Sequence, residues 1–269
     1  MKYVTMLFLI SGLWACKEGP REAKPPEPDM AVPVEKPSPY PKELARVLEA
    51  HGGVDTWKTK KKMSFVMGDS LDPETHTIDL WSRKDRVDTK EHSLGYDGKG
   101  VWVWEKNEKK YEGDPVFYHN LMFYFHAMPF VLSDAGIVYG EVGDLLVDGT
   151  EYPGIRIGYG KGVGVSPDDN YYLHYDPQTY RMAWLGYTVS YGKKGPSTDI
   201  NWIKYEGWEE VDGLLLPNAI TWHVTSEGLP KEARNTLVFR EMNVSTEAMP
   251  EVFFEKPSAA AYVPAPKIE

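Results

Sequence analysis

Between Asp114 and Gly140 the chain reads DPVFYHNLMFYFHAMPFVLSDAGIVYG, its densest aromatic and apolar run outside the extreme N-terminus. A soluble fold has to cover such a run. Asp114 can cap a helix, Pro115 suits its first position, and Val116 to Ala127 makes a helix of about three turns that Pro129 closes. Its apolar residues surround the axis, so it is expected to be buried on all sides, as a plug or lid. The chain around it has a different period. Residues 62–68, 75–83, 86–93 and 100–105 before it read as short strands, as do 137–142, 145–148, 153–159, 170–176, 182–191, 199–206, 214–225 and 235–244 after it. Asp97-Gly98, Asp148-Gly149, Asp176-Pro177 and Asp212-Gly213 mark turns between them. Strands in succession without βαβ spacing imply a mainly β fold: one antiparallel sheet of about 11 strands, curled into a barrel or half-barrel around the buried helix. Val101-Trp102-Val103-Trp104 is apolar on both faces, which predicts a strand covered on both sides.

A first helix precedes the strands. In PKELARVLEAHGG, Leu44, Val47, Leu48 and His51 fall at i, i+3, i+4 and i+7, Pro41 fits the first turn, and Gly52-Gly53 stops the helix. His51 at the end of that stripe reads as a C-terminal helix contact, not a ligand. The folded domain is expected over 42–249, with 250–269, rich in proline and alanine, as a flexible tail.

Upstream lies no part of the fold. Lys2 followed by an apolar run from Tyr3 to Ala15 is too short for a membrane span, which needs about 20 residues, and fits the h-region of an export signal over 1–15. Leu13-Trp14-Ala15-Cys16 resembles the lipobox of bacterial lipoproteins, with Trp14 a bulky departure. The resemblance implies that Cys16 is lipidated and becomes the N-terminus, so that the protein's membrane partner is reached through acyl chains. Cys16 is the only cysteine, so intrachain disulfides, thiolate metal sites and a cysteine nucleophile are excluded. The segment from there to Pro41 holds eight prolines after Lys17 and reads as a tether. At about 3.1 Å per residue it reaches roughly 75 Å. Lys17 departs from the aspartate that retains enteric lipoproteins at the inner membrane, which implies the outer membrane and leaves its face open.

The stretches FYHNLMFYFHAMPFVLSDAG, GVGVSPDDNYYLHYDPQTYRMAWLGYTVSY and YEGWEEVDGLLLPNAITWHV resemble an uncharacterised family of bacterial lipoproteins, over nearly the whole chain after residue 44. The order of elements is also similar to that of the Lol-type carrier and receptor proteins of outer-membrane lipoprotein sorting. The turns Tyr172 to Thr179 and Val211 to Pro217 carry this likeness. It implies a half-barrel whose concave apolar face, closed by a helical lid, receives acyl chains. The lipidated Cys16 is closer to the anchored receptor, and 163–165 is a small candidate for the receptor's insertion loop. The residues expected to line such a pocket are Phe117, Leu121, Phe123, Phe125, Met128 and Phe130 from the lid, with Leu185, Tyr187 and Val189 from a facing strand.

Chemistry is sparsely written. The seven histidines show no i, i+2 or i, i+4 spacing, so no metal ligand is assigned; His119 and His126, seven apart, could share one face. The acidic loop 166–170 lacks the spacing of a calcium loop and reads as a turn. Tyr172, His174 and Asp176 form the one polar trio that a hydrolase could use, with the plainer reading of Asp176 as a turn residue preferred. No phosphate-binding, nucleophile-elbow or dinucleotide motif occurs, and neither a catalytic residue nor a cofactor is assigned. The formal net charge of −10, which loss of Lys2 takes to about −11, disfavours nucleic acid. The expectation is a monomeric, non-catalytic envelope lipoprotein that binds an acyl chain, lipid or lipoprotein. The alternative is a structural or carbohydrate-contacting module, with Trp81, Trp184, Trp202 and Trp208 as the rings of a sugar platform.

Overall fold

The computed structural model describes residues 38–68, 70–160, 169–191 and 195–264. The signal segment, Cys16, the tether as far as 37, the loop candidate 163–165 and residues 166–168 of the acidic loop lie outside the described residues.

Helix α1 (Lys42–Ala50) buries Leu44, Val47 and Leu48, the stripe its spacing predicts. It stops where Gly52 and Gly53 take φ of 107° and 84° and the Gly53 amide donates back to the Leu48 carbonyl at 2.9 Å. A Cβ on Gly52 would lie 2.2 Å from the Gly213 carbonyl oxygen, so glycine is needed for close approach as well as for the turn. A six-residue α2 (Val54–Thr59) follows and buries Trp57.

The strands come in two blocks. The first is β1 (Lys62–Met67), β2 (Glu74–Asp79), β3 (Asp85–Asp88), β4 (His92–Tyr96) and β5 (Val101–Glu105), and the chain then enters α3 (Pro115–Tyr118) and α4 (Leu121–His126). The second is β6 (Ile137–Val147), β7 (Thr150–Tyr159), β8 (Tyr171–Tyr175), β9 (Met182–Tyr187), β10 (Asn201–Val211), β11 (Leu214–Ser226), β12 (Leu229–Val238) and β13 (Arg240–Ser245), with a short β14 (Ala261–Tyr262) at the end. One antiparallel sheet runs β13-β1-β2-β3-β4-β5-β14 and the other β12-β11-β10-β9-β8-β7-β6. The chain crosses between them at buried Phe239, whose amide donates to the Asn218 carbonyl at 2.8 Å. The sheets stay unclosed and curl around the helices, a half-barrel of mainly β structure.

Four expectations change. The one expected sheet is two sheets of seven strands each. The central helix is two short pieces and a 3-10 turn (Phe130–Ser133), not a helix of three turns, because Asn120 leaves helical geometry at φ −116°, ψ 0°. Fourteen strands replace the expected number of about 11 among the described residues; β4 was hidden inside the β3 run, and the last strand is two strands bent at Phe239. The tail over 250–264 is also ordered. Phe254 is buried, its carbonyl accepts from Trp102 Nε1 at 3.3 Å, and β14 pairs with β5. The side chain of Arg86 lies between the rings of Trp102, at 5.8 Å, and Phe253, at 5.3 Å. That tail supplies the second cover for the strand around Trp102, so the domain does not end at 249.

The core lies between the sheets and the helices. Phe65, Met63 and Ile78 face it from one sheet, Ile157, Leu173, Leu185, Ile203, Leu216 and Ile220 from the other, all at most 2% exposed. Burial of a side chain of this size contributes about 1.5–3 kcal/mol. Leu145, Trp184 and Trp202 form a second cluster of their own.

Candidate ligand-binding site

The lid is made of α3, α4 and the 3-10 turn. Asp114 Oδ1 accepts from the Val116 and Phe117 amides at 2.9 and 3.2 Å, which starts α3 as its sequence predicts. The lid is then fastened by side chains. Tyr118 donates to Glu74, which also accepts from His76 Nε2 at 2.7 Å. His119 Nδ1 donates to Asp85 at 2.6 Å, and Tyr205 donates to the Phe125 carbonyl at 3.0 Å. Burial works to raise the Glu74 pKa, but the hydrogen bonds and charge of His76, with the bond from Tyr118, hold it below the usual carboxylate range. At Asp85 burial prevails over the His119 contact and the pKa rises.

Around these bonds the underside is apolar apart from His126. Phe123, Phe125, Met128 and Phe130 are all at most 4% exposed. Phe125 packs against Tyr187 at 5.3 Å and Trp222 at 6.0 Å, and Phe130 stacks on Trp57 at 5.0 Å. Leu185 is fully buried in the same core, and Leu121 and Tyr187 border it half-buried. The structure therefore brings seven of the nine expected residues together, as filled core. Phe117 and Val189 stand apart: Phe117 is half-buried against Tyr191 at 5.0 Å, and Val189 is half-buried beyond β9.

His126 sits within this core with neither ring nitrogen hydrogen-bonded among the described residues. It lies 4.6 Å from Phe65 and 4.2 Å from Phe239, and burial, then the charge of His76, lowers its pKa to about 3. His119 and His126 thus have different surroundings and share no site.

The polar trio also separates. His174 Nδ1 donates to the Tyr152 carbonyl at 3.0 Å, and Asp176 accepts from the Gln178 and Thr179 amides at 3.0 and 2.8 Å, as a turn aspartate. Asp169 accepts from the amide and hydroxyl of Ser190, both at 2.6 Å, and so serves the chain's own turn.

Space opens elsewhere. A cleft of about 500 Å³ lies where the lid ends, between the entry of the chain, α2, the β2–β3 turn and the start of β6. Tyr40 and Tyr139 stand edge to face in its wall at 6.5 Å, their hydroxyls donating to the Ser133 and Leu132 carbonyls. Trp57 and Trp81 also line it, with Lys58, Arg83 and Asp134. Arg83 Nη2 donates to both oxygens of Asp134 at 2.7 Å, while its guanidinium lies over the Phe123 ring at 5.3 Å. None of the nine expected pocket residues lines this cleft.

Neither a protein-family model nor a curated protein matches the chain. Solved structures are similar to it in fold. A LolA superfamily protein from Nitrosomonas europaea aligns over 78% of this chain and 96% of its own, at 10% identity and a TM-score of 0.49. A DUF1329 family protein from Desulfovibrio piger aligns over 79% and 95%, at 11% identity and a TM-score of 0.48. The first is the likeness expected from the sequence motifs. With TM-scores under 0.5, neither bears on what the cleft or the lid binds.

Proposed function

We propose that this chain is a cell-envelope lipoprotein, anchored in the outer membrane through Cys16, whose domain holds a hydrophobic ligand beneath the lid and performs no chemistry on it. The observation that supports this reading is the construction of the lid. Its pieces are too short to be stable helices alone, its underside is apolar apart from His126, and its specific side-chain attachments include only a few polar bonds, from Tyr118, His119 and Tyr205. Apart from the Tyr205 bond, its contacts inside are mainly dispersion contacts, which an acyl chain can replace. In the closed state Phe123, Phe125 and Met128 fill the interior, so a ligand enters as the lid lifts. The separate structural partners of His174 and Asp176 support the non-catalytic part of the reading.

A photoactivatable fatty acid, incubated with the purified protein and cross-linked, tests it. Label is expected on peptides containing 121–130 and 185–187, with competition by unlabelled fatty acid. Label spread over the surface without competition would overturn the reading.

A further inference from the structure

We propose that the cleft at the end of the lid is a binding site for a saccharide that carries a carboxylate, a site separate from the apolar one beneath the lid. Two features of the cleft decide its chemistry. The first is Trp81, which stays 65% exposed although it lines a built cleft. Lys61 Nζ stands over its ring at 5.2 Å, so one face is already covered by a cation. The turn that carries it is held in place: the Trp81 and Ser82 amides both donate to Asp79 Oδ1, at 3.1 and 2.7 Å, and Arg83 takes φ of 60° and grips Asp134. The backbone of such a turn has little freedom left to lose when a ligand stacks on its indole, which favours a stacking platform.

The second feature is the mixture of polar and aromatic groups in one wall. An acyl chain here would cover the Arg83–Asp134 pair and leave its remaining hydrogen-bonding capacity without water, a costly exchange. A pyranose has what the wall asks for: an apolar C–H face for the indole, and hydroxyls that both donate and accept for Asp134, Arg83 and the Ser133 side of the cleft. Lys58 sets the charge. It is exposed, lines the cleft and has no ion-pair partner among the described residues, whereas Arg83 is engaged by Asp134 and Lys60 by Asp212 at 2.8 Å. A carboxylate on the sugar gives Lys58 that partner. The volume, about 500 Å³, falls within the range of small-ligand clefts.

The test is titration of the purified full chain, followed by tryptophan fluorescence and calorimetry, with four probes: maltotriose and chitotriose as neutral sugars, trigalacturonate and N-acetylglucosaminyl-N-acetylmuramic acid as acidic ones. Saturable binding of at least one acidic probe is expected. Trp81→Ala should weaken it by about tenfold or more, and Lys58→Glu should abolish the preference for acidic over neutral probes. Since both side chains are exposed, both variants should fold, checked by circular dichroism. Fatty-acid photolabelling of the lid should be unchanged in Trp81→Ala, which separates this site from the one beneath the lid. No binding by any probe, or binding indifferent to Trp81→Ala, overturns the proposal. So does loss of lid labelling in that variant with sugar binding intact, which would make the cleft the mouth of the apolar site.

Discussion

Buried histidines couple the stability of this domain to pH, His51 and His126 most strongly and His174 in the same direction. His51 is satisfied: its Nδ1 donates to the Val47 carbonyl at 2.7 Å and its Nε2 accepts from the Met182 amide at 3.3 Å, a pattern that only the neutral ring can make. Burial lowers its pKa to about 4. His126 is unsatisfied and lowered to about 3. Both folded values lie below the unfolded value near 6.5, so below that pH the unfolded chain binds more protons than the folded one and stability falls as pH falls. The loss begins at the unfolded value and levels off only near the folded ones. By pH 4.5 it amounts to about 2–3 kcal/mol for each histidine. Urea denaturation from pH 7.5 to 4.5 should show this slope. His126→Leu should remove its own share and, by deleting two buried orphan nitrogens, raise stability at pH 7 by about 1 kcal/mol or more. An unchanged slope in that variant would mean that His126 is solvated in the folded state.

At the scale of elements, joints matter more than strands. Gly52 lets α1 end against the β10–β11 turn, where the Leu215 amide donates to the His51 carbonyl at 2.8 Å. Gly52→Ala meets both a positive φ and the Gly213 carbonyl, and should destabilise by about 1–3 kcal/mol from strain alone, read from the urea midpoint at constant slope. At the other end of the chain, Phe254→Ala should cost about 3–5 kcal/mol and increase the exposure of Trp102 to fluorescence quenchers. A flexible tail would make that substitution silent. These joints also mark what a sequence can show. The stripe of α1, its glycine stop, the Asp114 cap and the Asp-Gly turns are local, and each was readable from neighbours in the chain. The packing of 250–264 on Trp102 depends on a residue about 150 positions away, and proline and alanine give no local sign of it. The core residues of the lid were legible because their apolarity admits only burial. Of the cleft only Trp81 was, as one ring of a sugar platform whose other members Trp184 and Trp202 are buried in a cluster of their own; the cleft joins ordinary side chains from four segments around Tyr40, Trp57, Trp81 and Asp134, which form no motif.

For the whole molecule, the proposed place at a membrane requires an anchor. No helix among the described residues is long and apolar enough to cross one. The formal net charge of −10 repels anionic headgroups, so electrostatic adsorption does not supply an anchor. The lipobox-like sequence ending at Cys16 makes acylation the proposed means, and each buried methylene contributes about 0.8 kcal/mol that salt does not screen. The two mechanisms therefore separate under a salt wash. After cell disruption the native protein should sediment with the outer-membrane fraction and remain there in high salt. Cys16→Ser, expressed with the same signal, should appear in the soluble fraction and keep the proposed sugar and fatty-acid binding, because the residues proposed for both belong to the domain from Ser38 onward. If Cys16→Ser still sediments, the domain itself binds the membrane, and the exposed Val138 and Leu146 of the edge strand β6 become the next residues to change.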